Sequence, residues 1–165
     1  MEVGPWGNVA LTLNLAMLLS LQMEDDLQPA HGLLARMERS VQGLPDPAFG
    51  FVTFFSQQSN IRGLSHRRIS GDARQFYYGS NCDCGAVALL FRHEVVAEMV
   101  GMLRSNAQER PLDWLIPGWL CGSLRLPCYE GIPNLFQHHG KTSTLKDQDR
   151  TGAKSFSFQL DEQGR

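Results

Sequence analysis

Segments with the signature of strands and segments with the signature of helices alternate along this chain, and that alternation limits the fold more than any other feature of the sequence. Leu21-Gln22-Met23 reads as a strand that ends in three consecutive acids, Glu24-Asp25-Asp26. Pro29 opens a helical segment with Leu33, Leu34, Met37 and Val41 at spacings of one, three and four, and Gly43, Pro45 and Pro47 stop it. Phe49 to Phe55 (Phe-Gly-Phe-Val-Thr-Phe-Phe) is aromatic and β-branched, the composition of a strand. Ala86 to Phe91 reads as a second buried strand, and His93 to Arg104 as an amphipathic helix with Val95, Val96, Met99, Val100 and Leu103 on one face. Between the two strands, Ser56 to Asn81 is polar and basic, with Arg62, His66, Arg67, Arg68 and Arg74, and reads as a long loop. Pro111 starts a short segment, Leu112-Asp113-Trp114-Leu115, and Asn134-Leu135-Phe136-Gln137 forms a last short strand. After Gly140 the chain reads as a polar tail. The expectation is an α/β sheet protein.

With 165 residues the chain has the length of one domain or of part of a larger one, enough to bury a core without staples. Its 42% hydrophobic and 19% charged residues exclude a disordered tail and a coiled coil. Fifteen Lys and Arg stand against seventeen Asp and Glu, so the basic footprint of non-specific nucleic-acid binding is missing. The apolar run from Val9 to Met23 falls short of the ~20 residues that span a bilayer. Only Glu2 among charged residues precedes it, so it lacks the basic flank of a signal peptide and reads as a buried helix running into a buried strand. No targeting or membrane-spanning segment is expected.

Chemistry concentrates in few places. Three carboxylates at the end of a buried strand offer hard oxygen ligands to a divalent cation, at the edge where α/β sheets bind ligands. A solvated acidic turn is the plainer alternative. His138 and His139 follow the last strand, where an imidazole can complete such a site or remain half exposed. Asp113, just after Pro111 and beside Trp114, falls in the first turn of a helix, as a capping carboxylate or as a general base. The Arg62 to Arg74 cluster suits phosphate or a solvated loop. Cys82, Cys84, Cys121 and Cys128 do not have zinc-knuckle spacing; they read as thiols, with Cys121 and Cys128 suited to a loop-closing disulfide in a secreted chain. A cysteine-based metal module would need all of them to converge. No Gly-x-Ser-x-Gly, P-loop or Gly-x-Gly-x-x-Gly occurs, which removes support for hydrolase elbows and standard nucleotide cradles.

Three of these segments, taken together, carry a resemblance. They are Leu21-Gln22-Met23-Glu24-Asp25-Asp26, then Arg110-Pro111-Leu112-Asp113-Trp114-Leu115, then Pro133-Asn134-Leu135-Phe136-Gln137-His138-His139-Gly140 followed by Ser143 and Leu145-Lys146-Asp147. In order and spacing the set resembles the alpha-1,3-mannosyl-glycoprotein 4-beta-N-acetylglucosaminyltransferases, which branch N-glycans in the Golgi. That family shows a Leu-Glu-Asp-Asp strand end, a Pro-x-Asp-Trp-Leu-Leu segment and a Leu-Phe-Gln-His-x-Gly strand followed by Leu-Lys-Asp. The resemblance extends from about Asn14 to Asp149.

The resemblance implies a partial GT-A type fold, a mixed sheet flanked by helices, and inverting transfer of N-acetylglucosamine from UDP-GlcNAc to a mannose of an N-glycan or glycoprotein in beta-1,4 linkage. It implies that Asp26 and His138 contact Mn2+, that Glu24 and Asp25 serve the donor, and that Asp113 is the base. It also implies a lumenal disulfide between Cys121 and Cys128, and residence in the Golgi lumen. In the family a nucleotide-binding half precedes the acidic motif, whereas twenty-three residues precede Glu24 here. Residues 1–149 are therefore expected to form the metal- and acceptor-side part of a catalytic domain, with 150–165 as a flexible polar tail. The alternative is a non-catalytic glycan- or protein-binding relative that kept the fold without the donor half.

Overall fold

The computed structural model describes residues 19–24, 27–55, 66–70, 73–76, 87–106 and 112–139, together with Phe158; residues 66–70, 73–76 and 113 are described by their backbone. Strand β1 (Leu19–Met23) is followed by β2 (Leu27–Pro29), helix α1 (Leu33–Gln42) and strand β3 (Phe51–Thr53). Strands β4 (His66–Ser70) and β5 (Ala73–Phe76) come next, and β6 (Ala88–Arg92) runs without a loop into helix α2 (His93–Asn106). Helix α3 (Leu112–Pro117) continues into a π-helical turn, Gly118–Ser123, before strands β7 (Cys128–Gly131) and β8 (Phe136–His138). Six strands make one mixed sheet in the order β1-β6-β3-β7-β5-β4, while β2 and β8 pair separately. Within the sheet β3 and β7 are parallel and the other neighbours antiparallel.

The continuous apolar runs of the sequence become the middle of this sheet because both of its faces are covered. Side chains alternate across the pleat. Val52, Ala88, Leu90 and Tyr129 join one cluster with Leu21, Met37 and Phe136, and Phe51, Leu89, Phe91 and Cys128 join another with Val95, Met99, Ile116 and Leu120. Helix α1 and the β2–β8 pair thus cover one face, and α2, α3 and the π-helical turn cover the other. Phe51 stands directly opposite Phe91, their rings edge to face with centroids 6.4 Å apart. Arg92 Nε donates to the Phe49 carbonyl at 2.7 Å, fixing the start of the β3 segment to the end of β6.

Several boundaries differ from those read in the sequence. Helix α1 begins at Leu33, since Pro29 closes β2 and Gly32 turns the chain with a φ of 65°, a conformation open to glycine. Its end follows the expected signals, with the Gly43 N–H donating to Arg39 O at 3.2 Å ahead of Pro45. The strand expected over Phe49 to Phe55 is regular only over Phe51–Thr53. Within the expected loop, β4 and β5 form an antiparallel hairpin, and β5 pairs with β7 from Ala73↔Gly131 to Phe76↔Cys128. Backbone pairing with β7 organises that hairpin, and apolar periodicity does not report it. The last strand is shifted to Phe136–His138. In the Val9 to Met23 run, β1 takes Leu19–Met23, and the earlier residues lie outside those described. Phe158, in the stretch read as a tail, is partly buried against the cluster holding Leu21.

Cys121 and Cys128 form a disulfide, with Cα atoms 6.5 Å apart, between the π-helical turn and β7. That pairing leaves neither for a four-cysteine metal module; Cys82 and Cys84 lie outside the described residues. Among the described residues no helix is long and apolar enough to cross a membrane.

Where β7 ends, Gly131 lies so close to Phe54 that a Cβ there would meet the ring at 2.5 Å. Phe54 is fully buried and has no room to yield. Gly131→Ala is expected to cost about 1–3 kcal/mol of stability, read from urea unfolding; a change below measurement error would mean that the ring moves freely.

Candidate functional site

Strands β1, β3 and β7 all run in one direction and end at one edge of the sheet, the edge at which β6 begins. Glu24 follows β1 directly. Its backbone N–H donates to Val87 O at 3.0 Å, so the β1–β6 ladder extends one residue beyond the regular strand and fixes where the Glu24 side chain starts. Phe54 and Phe55 leave β3 at the same edge, held by the Phe54 N–H on Ala88 O at 3.0 Å. Thr53 accepts from the Phe55 N–H and donates to the Phe55 carbonyl, a tight local closure that orients Phe55.

The second half of the site arrives with β8. Gly131 O and Glu130 Oε1 both accept from the Asn134 side-chain amide, at 3.1 and 3.3 Å, which ties the turn after β7. Leu135 N–H then donates to Phe54 O at 3.0 Å, and Ala30 N–H donates to Leu135 O at 2.8 Å. Strand β8 pairs antiparallel with β2, with Leu27 opposite His138, which delivers His138 to the strand end that carries Glu24.

At that point His138 Nε2 lies 3.3 Å from Glu24 Oε2, with the side chains 4% and 19% exposed. An Nε2–H donates to the carboxylate both in the neutral tautomer carrying that proton and in the imidazolium. The imidazole also packs at a tilt against the Phe55 ring, centroids 6.1 Å apart. His138 is thus buried rather than half exposed, whereas His139 is exposed and meets Gln28 Oε1 at 2.6 Å.

One carboxylate oxygen and one imidazole nitrogen at this separation are a donor pair that a single divalent cation of the Mn2+ type accepts. Among the described residues no group of three or more candidate ligands is gathered. Asp25 and Asp26, next in the chain after Glu24, lie outside the described residues. Asp113 is in the first turn of α3, whose Leu112 and Ile116 pack into the cluster on the face opposite α1. The structure therefore brings together Glu24 and His138 from the expected site and attaches Asp113 to a different layer.

Sequence reasoning missed Phe55 and the pairing of β2 with β8. No local signal marks them: β2 is three residues long and ends in proline, and its ladder depends on a partner over a hundred residues away. It missed Glu130 as well, which is buried, because Cys-Tyr-Glu-Gly carries too little apolar pattern for a strand.

Compared with protein-family models, with curated proteins and with solved structures, the chain shows no significant match.

His138→Ala removes both the donor to Glu24 and the ring against Phe55, and is expected to destabilise the fold by about 1–3 kcal/mol. Denaturant titration measures it, and Glu24→Gln, which keeps an acceptor in place, is expected to lose less.

Proposed function

We propose that this chain is the metal- and acceptor-side part of an inverting GT-A type glycosyltransferase. Its reaction would move N-acetylglucosamine from UDP-GlcNAc to a mannose of an N-glycan in beta-1,4 linkage. The supporting observation is the 3.3 Å approach of Glu24 to His138. Two motifs of the resemblance, distant in sequence, meet at the carboxyl edge of a mixed sheet, where ligand sites of α/β proteins form.

In this reading Glu24 and Asp25 would serve the donor, while Asp26 and His138 would hold Mn2+. When bound, the ion supplies positive charge against the departing diphosphate. Asp113 is the base. The acceptor hydroxyl oxygen forms its bond to the sugar C1 as the bond from C1 to the UDP oxygen breaks, and the hydroxyl proton passes to the Asp113 carboxylate. Phe55 keeps the His138 imidazole in one orientation. The Cys121–Cys128 disulfide suits an oxidising compartment, in keeping with a Golgi lumenal protein.

Thermal unfolding with UDP-GlcNAc, with and without Mn2+ and with EDTA as the control, tests the donor site. Ligand at ~100 times its dissociation constant stabilises the fold by about 2.7 kcal/mol, so a Mn2+-dependent rise in Tm is expected, and Asp26→Ala is expected to abolish it. A cooperative transition that ignores donor and metal would favour a glycan- or protein-binding relative without catalysis.

For the base, Asp113→Asn is expected to lower kcat by about a hundredfold or more while donor affinity holds. Transfer assays on N-glycan acceptors read it. Equal loss of donor binding would make Asp113 a structural residue.

A further inference from the structure

Backbone register lines up one residue from each strand of the six-stranded sheet. Gln22 of β1 stands opposite Leu89 of β6, Leu89 opposite Thr53 of β3, and Thr53 opposite Glu130 of β7. Glu130 in turn stands opposite Arg74 of β5, and Arg74 opposite Arg68 of β4. Directly paired residues share a face of the pleat, and Leu89 puts this row on the face that α2 and α3 cover. The row crosses the sheet where β1, β3 and β7 reach their carboxyl ends.

Charge is spread unevenly along it. Glu130, 1% exposed, is the carboxylate of the row, and its Oε1 accepts from the Asn134 amide. Arg74, at the next position, matches that buried charge. Arg68 then follows Arg74, and like charges directly opposite each other on neighbouring strands destabilise a sheet. From His66 to Phe76 the sequence holds three arginines against a single acid, Asp72, which lies outside the described residues. An anion with several acceptor oxygens relieves such a pair, because a phosphate group takes two guanidinium forks at once in charge-assisted bonds. Strand β4 is last in the sheet order among the described residues, so Arg68 stands on the strand nearest solvent.

We propose that Arg68 and Arg74, placed opposite each other at the β4–β5 end of this row, form a binding site for a phosphate group. Four strand spacings, about 19 Å, separate β5 from β1, so the site is distinct from the strand end that carries Glu24. It needs neither a metal ion nor a sugar donor, and it stands apart from the glycosyltransferase reading.

NMR on the full chain in EDTA, at constant ionic strength, tests it with inorganic phosphate and pyrophosphate as probes and acetate as control. Saturable shifts of the Arg68 and Arg74 Nε–H signals are expected with both probes, at least about tenfold tighter than with acetate. No such shift is expected at Arg67, which stands opposite Gln75 on the other face. Arg68→Gln is expected to weaken binding about tenfold or more, and Arg68→Lys, which keeps the charge without the fork, to weaken it less. Arg67→Gln is expected to leave binding unchanged. Tighter binding of pyrophosphate would mark a diphosphate ligand and equal binding a single phosphate group; both support the site. Shifts that never saturate, equal losses in Arg67→Gln and Arg68→Gln, or acetate bound as well as phosphate overturn it. Should Arg68→Gln fail to fold, the arginine signals of the unmutated chain still decide.

Discussion

The pairing of β3 with β6 carries the rest of the molecule. Both strands are short, and both are apolar on the two faces of the pleat, so neither is stable until helices cover it from above and below. Phe51 against Phe91 locks the register between them on one face, while Val52 and Leu90 stand opposite each other on the other. A slip of one residue would send every one of these side chains into the wrong layer. From this fixed pair the sheet grows outward, to β1 on one side and to β7 and its hairpin on the other. The direction of β1, β3 and β7 then brings three strand ends to a single edge.

What collects at that edge is held by polar groups that no apolar pattern announces. Asn134 bridges Glu130 and Gly131, and Leu135 bonds back to Phe54. Each bond satisfies a buried group that would otherwise cost free energy, and together they fix the path from β7 to β8. The meeting of Glu24 with His138 follows from that path.

Much of the architecture is visible in the residues, and the limits are physical. The strands over Phe49 to Phe55 and Ala86 to Phe91 and the helix after His93 announce themselves because burial on defined faces is written into periodicity. The end of β1 at Glu24 is equally plain, since three charges cannot continue a buried strand. The hairpin of β4 and β5 is hidden because backbone pairing, not side-chain burial, organises it. His138 was legible as a candidate from its neighbours in sequence, but its burial was not. That depends on Phe55, which is 83 residues earlier, from 55 to 138, and joins it only when β2 and β8 pair.

That ladder has a kinetic meaning as well. Gln28 and His139 stand 111 residues apart in sequence, and closing a loop of that length costs about 4 kcal/mol in chain entropy. Three short residue pairs from Leu27↔His138 to Pro29↔Phe136 repay little of it, so the ladder gains its stability from the sheet already formed beneath. The meeting of Glu24 and His138 is then expected to follow formation of the sheet. During synthesis Glu24 emerges 114 residues ahead of His138, from 24 to 138, so the pair closes only after that whole stretch has been made.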